Sequence, residues 1–429
     1  MPTSRSLLRG HRDFRLVWAG DTVSAVGDAV TMVALPLVAL DELHASTAAT
    51  AGLAGVGYLP MLLLGLPIGA WVDRLARRPL LLAGNAVAAV AVGSVPMAAA
   101  LGVLGFAQLV VVSFVLGLTQ VVTQTAASAF LPEVVPRERL VEGNGALQAS
   151  ASAAQIGGPS VAGLLVQALT AAGALVVDAA SFIAAGVALA AVRTRPLPRP
   201  VARRGLLREM AEGLRHVAAD RILRILIVTA TLANLSLSAA FALLVPFLSR
   251  TVGLSAGLLG VLVGVGGAGG VLGAASAGRL ARRFGTGRVV VVATAASAPP
   301  GLLIPLAEPG PRLALFVVGM FVLFAGLGVY NVTVVSYRQA ATPPDLLGRV
   351  TAAMRVVQQG VMPLGAALGA GLALAVGTRA GLAWSLAIDL VPGMVLLAGP
   401  VRRLRDLPSR IPDSDARAGL GGPEPTGVR

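Results

Sequence analysis

The 429-residue chain is 56% hydrophobic and only 13% charged, with a net charge of +14. Soluble domains carry about 25% charged residues, so this chain cannot clothe a soluble surface, and most of it must be solvated by lipid. It has no cysteine, which excludes a disulfide framework, a thiolate nucleophile and a thiolate metal site.

Apolar runs of about 20 residues predict spanning helices. Twelve occur in order: 16–40, 47–71, 79–101, 105–129, 145–169, 172–192, 222–248, 255–277, 287–307, 313–337, 350–376 and 380–401. The first run follows Arg5, Arg9, Arg12 and Arg15. It exceeds a signal-peptide core and leads into further spans, so it reads as a span itself. It carries two acids, Asp21 and Asp28. Between the second and third runs lies a charged turn, Gly69-Ala-Trp-Val-Asp73-Arg74-Leu-Ala-Arg77-Arg78. The fourth run carries Gln120 and Gln124, the fifth Gly158-Pro159-Ser-Val-Ala162-Gly163, and the sixth Asp178.

After the sixth run, 193–221 opens as a Pro/Arg linker. Within it, 206–218 reads as an amphipathic helix suited to a membrane surface. The seventh run holds Asn234 and Ser238, the tenth Asn331, the eleventh Arg355 and the twelfth Asp389. The tail from 402 is rich in Pro, Gly and Asp and is expected to be disordered.

All 34 basic residues are arginine, and 31 of them fall before the first run, after the last, or in alternate turns; only Arg250, Arg312 and Arg379 lie on the other side. The positive-inside rule puts both termini and the arginine-rich turns in the cytoplasm. The basicity therefore reads as cationic loops on an anionic leaflet, not as a nucleic-acid surface. The three histidines fall in polar segments, so no histidine metal cluster is expected.

The halves repeat. Arg74-Leu-Ala-Arg77-Arg78 recurs as Arg279-Leu-Ala-Arg282-Arg283, and Leu35-Pro36 as Val245-Pro246. Six plus six helices in one orientation is a parallel repeat. The predicted fold is an all-α membrane protein with twelve transmembrane helices in two pseudo-symmetric six-helix bundles. These are 1–192 and 222–401, joined by the 193–221 linker.

On these residues the chain resembles the major facilitator superfamily. The turn at Gly69, Asp73-Arg74 and Arg77-Arg78 matches that family's loop between helices 2 and 3, with Ala76 in place of its second glycine. Gly158-Pro159 through Gly163 resembles its antiporter motif, with Ala162 for one glycine. The helix 4 arginine of many drug antiporters is absent. His11-Arg-Asp-Phe-Arg15, Gly27-Asp28 and Leu131-Pro-Glu-Val-Val-Pro-Arg137 look more like the macrolide-efflux and enterobactin-exporter branch. The resemblance implies the major facilitator fold, a cavity lined by helices 1, 4, 7 and 10, and a cytoplasmic gate in which Asp73 meets the amides that start helix 11.

An aspartate at mid-bilayer costs about 2.5–3.5 kcal/mol. Asp28, Asp21 and Asp178 are therefore candidate proton-coupling acids: charged when hydrated, neutral when occluded. The bland alternative is that each caps a helix or pairs with a neighbour. Gly69, Asp73, Arg74, Arg77 and Arg78 are gate candidates, the arginines serving equally well as topology signals. Gln120, Gln124, Asn234, Ser238 and Asn331 are the candidate cavity polars in otherwise aliphatic helices. Gly158, Pro159 and Gly163 read either as an export-favouring bend or as close packing.

The expected function is secondary active efflux of a hydrophobic or amphipathic small molecule, such as a macrolide-type antibiotic, secondary metabolite or siderophore. Protons drive it through a monomer in the inner (plasma) membrane, with no cofactor. An importer with different coupling is one alternative; a non-transporting sensor, lipid-handling enzyme or scaffold is another. No enzymatic constellation assembles, and no phosphate-binding loop is present.

Overall fold

The computed structural model describes residues 7–72, 75–136, 139–193 and 206–408. Among them there are helices and turns but no strand. In chain order the long helices are α1 (Arg12–Leu37), α2 (Thr47–Val72), α3 (Arg77–Ala100), α4 (Phe106–Val134), α5 (Leu140–Leu169), α6 (Ala171–Ala190), α7 (Arg221–Pro246), α8 (Ala256–Phe284), α9 (Thr286–Gly301), α10 (Leu313–Ala341), α11 (Pro344–Gly360 and Met362–Val376) and α12 (Thr378–Ile388 and Leu390–Ala398).

Eleven of these segments are long and apolar enough to cross a bilayer. The remaining helix, α5, has 30 residues. Asn144, Gln148, Ser150, Ser152 and Gln155 dilute its first half, and it packs on α1 and α8. Several helices outrun their apolar stretch on the arginine-rich face, as α4 does to Val134 and α8 to Phe284. Hydropathy measures the thickness of the lipid slab, whereas the backbone ladder continues past it.

The two halves are built alike. In the first, α1 packs on α5 and α6, α3 on α4 and α6, and α2 on α4. The second repeats each pairing, with α7 on α11 and α12, α9 on α10 and α12, and α8 on α10. The Leu35-Pro36 and Val245-Pro246 correspondence has a structural meaning. Both α1 and α7 run into a five-residue π-turn, Val38–Glu42 and Phe247–Thr251. The closing bonds match as well: Leu43 N to Val38 O and Ala45 N to Ala39 O, against Val252 N to Phe247 O and Leu254 N to Leu248 O.

Positive-φ residues recur at matching turns on the same face, as Thr170 (75°) and Gly377 (84°) do at the starts of α6 and α12. Thr170 holds a conformation that favours glycine, and its hydroxyl caps α6 by accepting from Gly173 N at 3.2 Å.

The bundles meet unevenly. At the arginine-poor face one apolar cluster contains residues of both, including Val38, Ala39, Phe247, Leu248 and Phe316. At the arginine-rich face each bundle has its own cluster, around Phe14 and Phe130 in the first and around Tyr330, Val350 and Met354 in the second. The molecule is thus shut at the arginine-poor face and parted at the other.

The helix Leu206–Ala219 forms, and it docks on α11 through Glu212 and Arg349 at 2.8 Å. One expectation changes. Residues 402–408, expected within a disordered tail, are ordered. Asp406 Oδ1 accepts from Thr286 N at 2.9 Å and Arg405 O from Gly287 N at 3.0 Å, which caps α9. Residues 409–429 lie outside the described part.

Candidate functional site

Asp178 sits two turns into α6 and has no exposed surface. A buried carboxylate must be partnered, and two hydroxyls serve it. Thr31 of α1 donates to Oδ2, and Ser181 donates to Oδ1 at 3.0 Å. This contact needs Gly27, because a Cβ there would run into both Ser181 Oγ and Asp178 Oδ1. Asp28, next in sequence, is thereby turned toward open space and is exposed, as is Asp21 two turns earlier.

Asp21, Asp28 and Asp178 all line one cavity of about 500 Å³, within the 300–1,000 Å³ of small-molecule sites. Its lining runs from Pro36 and Ser113 to Leu16, Leu131 and Leu189, and so leads toward the arginine-rich face. Gln120 and Gln124 of α4 belong to it, so five of the polar groups read from the sequence line one cavity. Tyr58 of α2, Asn85 of α3 and Thr31 also line it and were not singled out from the sequence. The available signal was a lone polar or aromatic residue within each aliphatic run.

The lining comes entirely from the first six helices. The expectation of a wall shared by helices 1, 4, 7 and 10 does not describe this cavity, because the polar residues of α7 are otherwise engaged. Asn234 Nδ2 donates to Ala230 O at 2.8 Å. Ser238 is buried, donates to Leu235 O at 3.1 Å and abuts Gly365 of α11. Asn331 is exposed on α10. The second bundle reaches the site through Arg355, whose Nη2 donates to Gln124 Oε1. Asp389, buried, marks the break in α12, where Pro392 interrupts the helical bonding.

At the charged turn, Asp73 and Arg74 lie outside the described residues. Gly69 is in the last turn of α2. Arg77 pairs with Glu133 of α4 at 2.5 Å, the two side chains only 14% and 11% exposed. Arg78 donates to the last carbonyls of α6, Leu189 O at 3.3 Å and Ala190 O at 2.5 Å, where the helix dipole favours a cation. Both arginines thus staple the start of α3 to its own bundle.

Gly158, Pro159 and Gly163 lie where α5 touches α1 and α8. An added Cβ would meet Ala29 Cβ at position 158 and Ala256 O at position 163, and one at Gly260 would meet Pro159 O. The helix continues through Pro159. Among the described residues no group of three or more His, Asp or Glu side chains gathers as metal ligands would. Outside the spans, Glu142 at the start of α5 is held below the usual carboxylate range by the amide of Leu7 and by Arg139.

Comparison with known proteins agrees with this architecture. The family model described as Major Facilitator Superfamily matches residues 17–366. The multidrug efflux pump Tap of Mycolicibacterium fortuitum is 28% identical over 408 residues, covering 92% of this chain and 97% of the pump. Macrolide efflux protein A of Streptococcus pyogenes is 27% identical over 221 residues, covering 51% and 54%. Among solved structures, the nucleoside transporter NupG superposes with a TM-score of 0.73 at 11% identity, covering 90% of this chain and 98% of that one. Twelve helices in two matched bundles and a family match across most of the length have one reading: the chain is a multi-pass membrane transporter of the Major Facilitator Superfamily.

Proposed function

We propose that this transporter exports hydrophobic or amphipathic small molecules, of the macrolide-antibiotic or secondary-metabolite kind, in exchange for protons. The observation that carries the reading is the meeting of Asp21, Asp28 and Asp178 in one cavity of drug-accommodating size. The relatives named as efflux pumps support the direction of transport.

The arginine-rich face is the cytoplasmic one, so the cavity stands open for loading from the cytoplasm. The 1–192 and 222–401 bundles rock about the seam between α5 and α8 and that between α2 and α11. A proton taken from outside neutralises Asp28 and lets the site close over an uncharged group; release of that proton to the cytoplasm restores the carboxylate. Asp178, locked by Thr31 and Ser181, holds α6 to α1 beside it. Gln120 and Gln124 orient the cargo. Gly69 and Asp73-Arg74 close the cytoplasmic side when the bundles rock outward. The protein works as a monomer in the inner membrane, with both termini cytoplasmic and no catalytic step.

Cells with and without the protein are compared for accumulation of a radiolabelled macrolide. Lower steady-state accumulation in the expressing cells is expected, and higher accumulation would make the protein an importer.

A further inference from the structure

Arg250 sits in the π-turn that ends α7. Its guanidinium leaves the second bundle and donates to the first, Nη1 to Ala45 O at 2.9 Å and Nη2 to Leu40 O. Leu40 lies in the π-turn that ends α1, where a helix runs out of amides for its last carbonyls, and Ala45 lies in the loop before α2. Leu40 itself has no exposed surface. A buried carbonyl without a donor is costly. Arg250 itself is exposed, so water is at hand to take its place when the bundles part.

The contact is not symmetric. At the place in the first π-turn that matches Arg250 stands Asp41, exposed. The two turns thus bring opposite charges to the same face. Toward this face two other polar contacts between the bundles are neutral: Thr378 and Thr47 meet at 3.4 Å, at the limit of hydrogen bonding, and Ser160 Oγ donates to Gly260 O at 3.3 Å. Arg250 is one of three arginines on the arginine-poor side, and it spends its guanidinium on the opposite bundle. Arg379 instead turns to its own bundle, donating to Pro305 O at 3.0 Å and stacking over Phe247 at 5.5 Å.

We infer that Arg250 is the outer latch of this transporter, a positioning residue whose two bonds hold the bundles closed on the external face and set how much of the population faces inward. The inference rests on the alternating-access reading above, and its test separates the two.

The chain has no cysteine, so a single introduced thiol reports without background. Ala366→Cys, fully buried where α11 meets Gly55 of α2, reports the outer seam. Ala127→Cys, exposed in the cavity, reports the inner opening. Full-length protein carrying either reporter is labelled with a membrane-impermeant maleimide, from outside in cells and from the cytoplasmic side in inverted vesicles.

Hydrogen bonds to a charged donor are worth enough that losing them should speed outer labelling about tenfold or more in Arg250→Ala, with inner labelling slowed. Arg250→Lys, a single point charge that cannot fork to both carbonyls, should fall between. Unchanged outer labelling in Arg250→Ala overturns the latch. Faster outer labelling with inner labelling unaltered keeps the latch but removes alternating access, since the faces would then open independently. A variant that misfolds exposes both reporters to both sides, and Arg250→Lys then decides: its labelling must differ from the parent's or the latch is rejected.

Discussion

The seam between α5 and α8 offers a sharp perturbation, because two glycines of α5, Gly157 and Gly163, face opposite circumstances. A Cβ added at Gly163 would lie 3.1 Å from Gly260 Cα and still closer to the backbone of Ala256, while nothing stands within 4 Å of a Cβ at Gly157. Non-bonded carbons prefer about 3.5–4.0 Å. Gly163→Ala must therefore push two backbones apart by on the order of 0.5–1 Å, since no flexible side chain can yield. Overpacking of this kind costs about 1–3 kcal/mol, a factor of about 5 to 150 in the closed population. Gly157→Ala carries the same gain in helix preference with no clash. Thermal unfolding of the two variants in detergent is the assay. Gly163→Ala should melt below the parent and Gly157→Ala at or above it. Equal melting of the two would refute the claim that these helices pack at backbone contact.

Arg77 and Glu133 form a largely buried pair, so Arg77→Ala or Glu133→Ala alone should cost about 3–5 kcal/mol through the stranded charge. The double change to apolar residues should cost less than the sum of the two, as a double-mutant cycle of denaturation would register. Glu142 has its carboxyl lowered from 4.5, first by the Leu7 amide and then by Arg139. Its folded value lies below its unfolded one, so its contribution is complete above pH 4.5 and lost as the pH falls through the lowered value. Hydrogen-exchange protection at Leu7–Gly10, corrected for the intrinsic rate, should therefore fall below pH 4.5 in the parent, and Glu142→Gln should flatten that dependence.

The spans, their pairing into halves and the arginine asymmetry were legible because lipid imposes length and charge rules on every segment separately. Gln120, Gln124 and the acids stood out for the same reason: a polar group in an aliphatic run is costly wherever it faces. What could not be read was which way each helix turns. A helix such as α2 is apolar on nearly every side, so no periodicity marks the face toward the cavity, and Tyr58, like Asn85 on α3, went unnoticed. Asn234 and Ser238 looked as available as Gln120 and Gln124 of α4 yet satisfy themselves on their own helix. The Leu35-Pro36 and Val245-Pro246 match was visible as a repeat, but the π-turns it precedes depend on bonds five residues apart that composition does not display. Glu133 as the partner of Arg77 required knowing that α3 and α4 are neighbours at that end.

The central claim is that protons passing through Asp28 drive export. In inverted vesicles, with the cytoplasmic side outward, an imposed acidic interior should drive accumulation of a radiolabelled macrolide by the parent protein. Asp28→Asn should bind the same compound but show no response to the gradient. Gradient-driven accumulation that persists undiminished in Asp28→Asn would contradict the account.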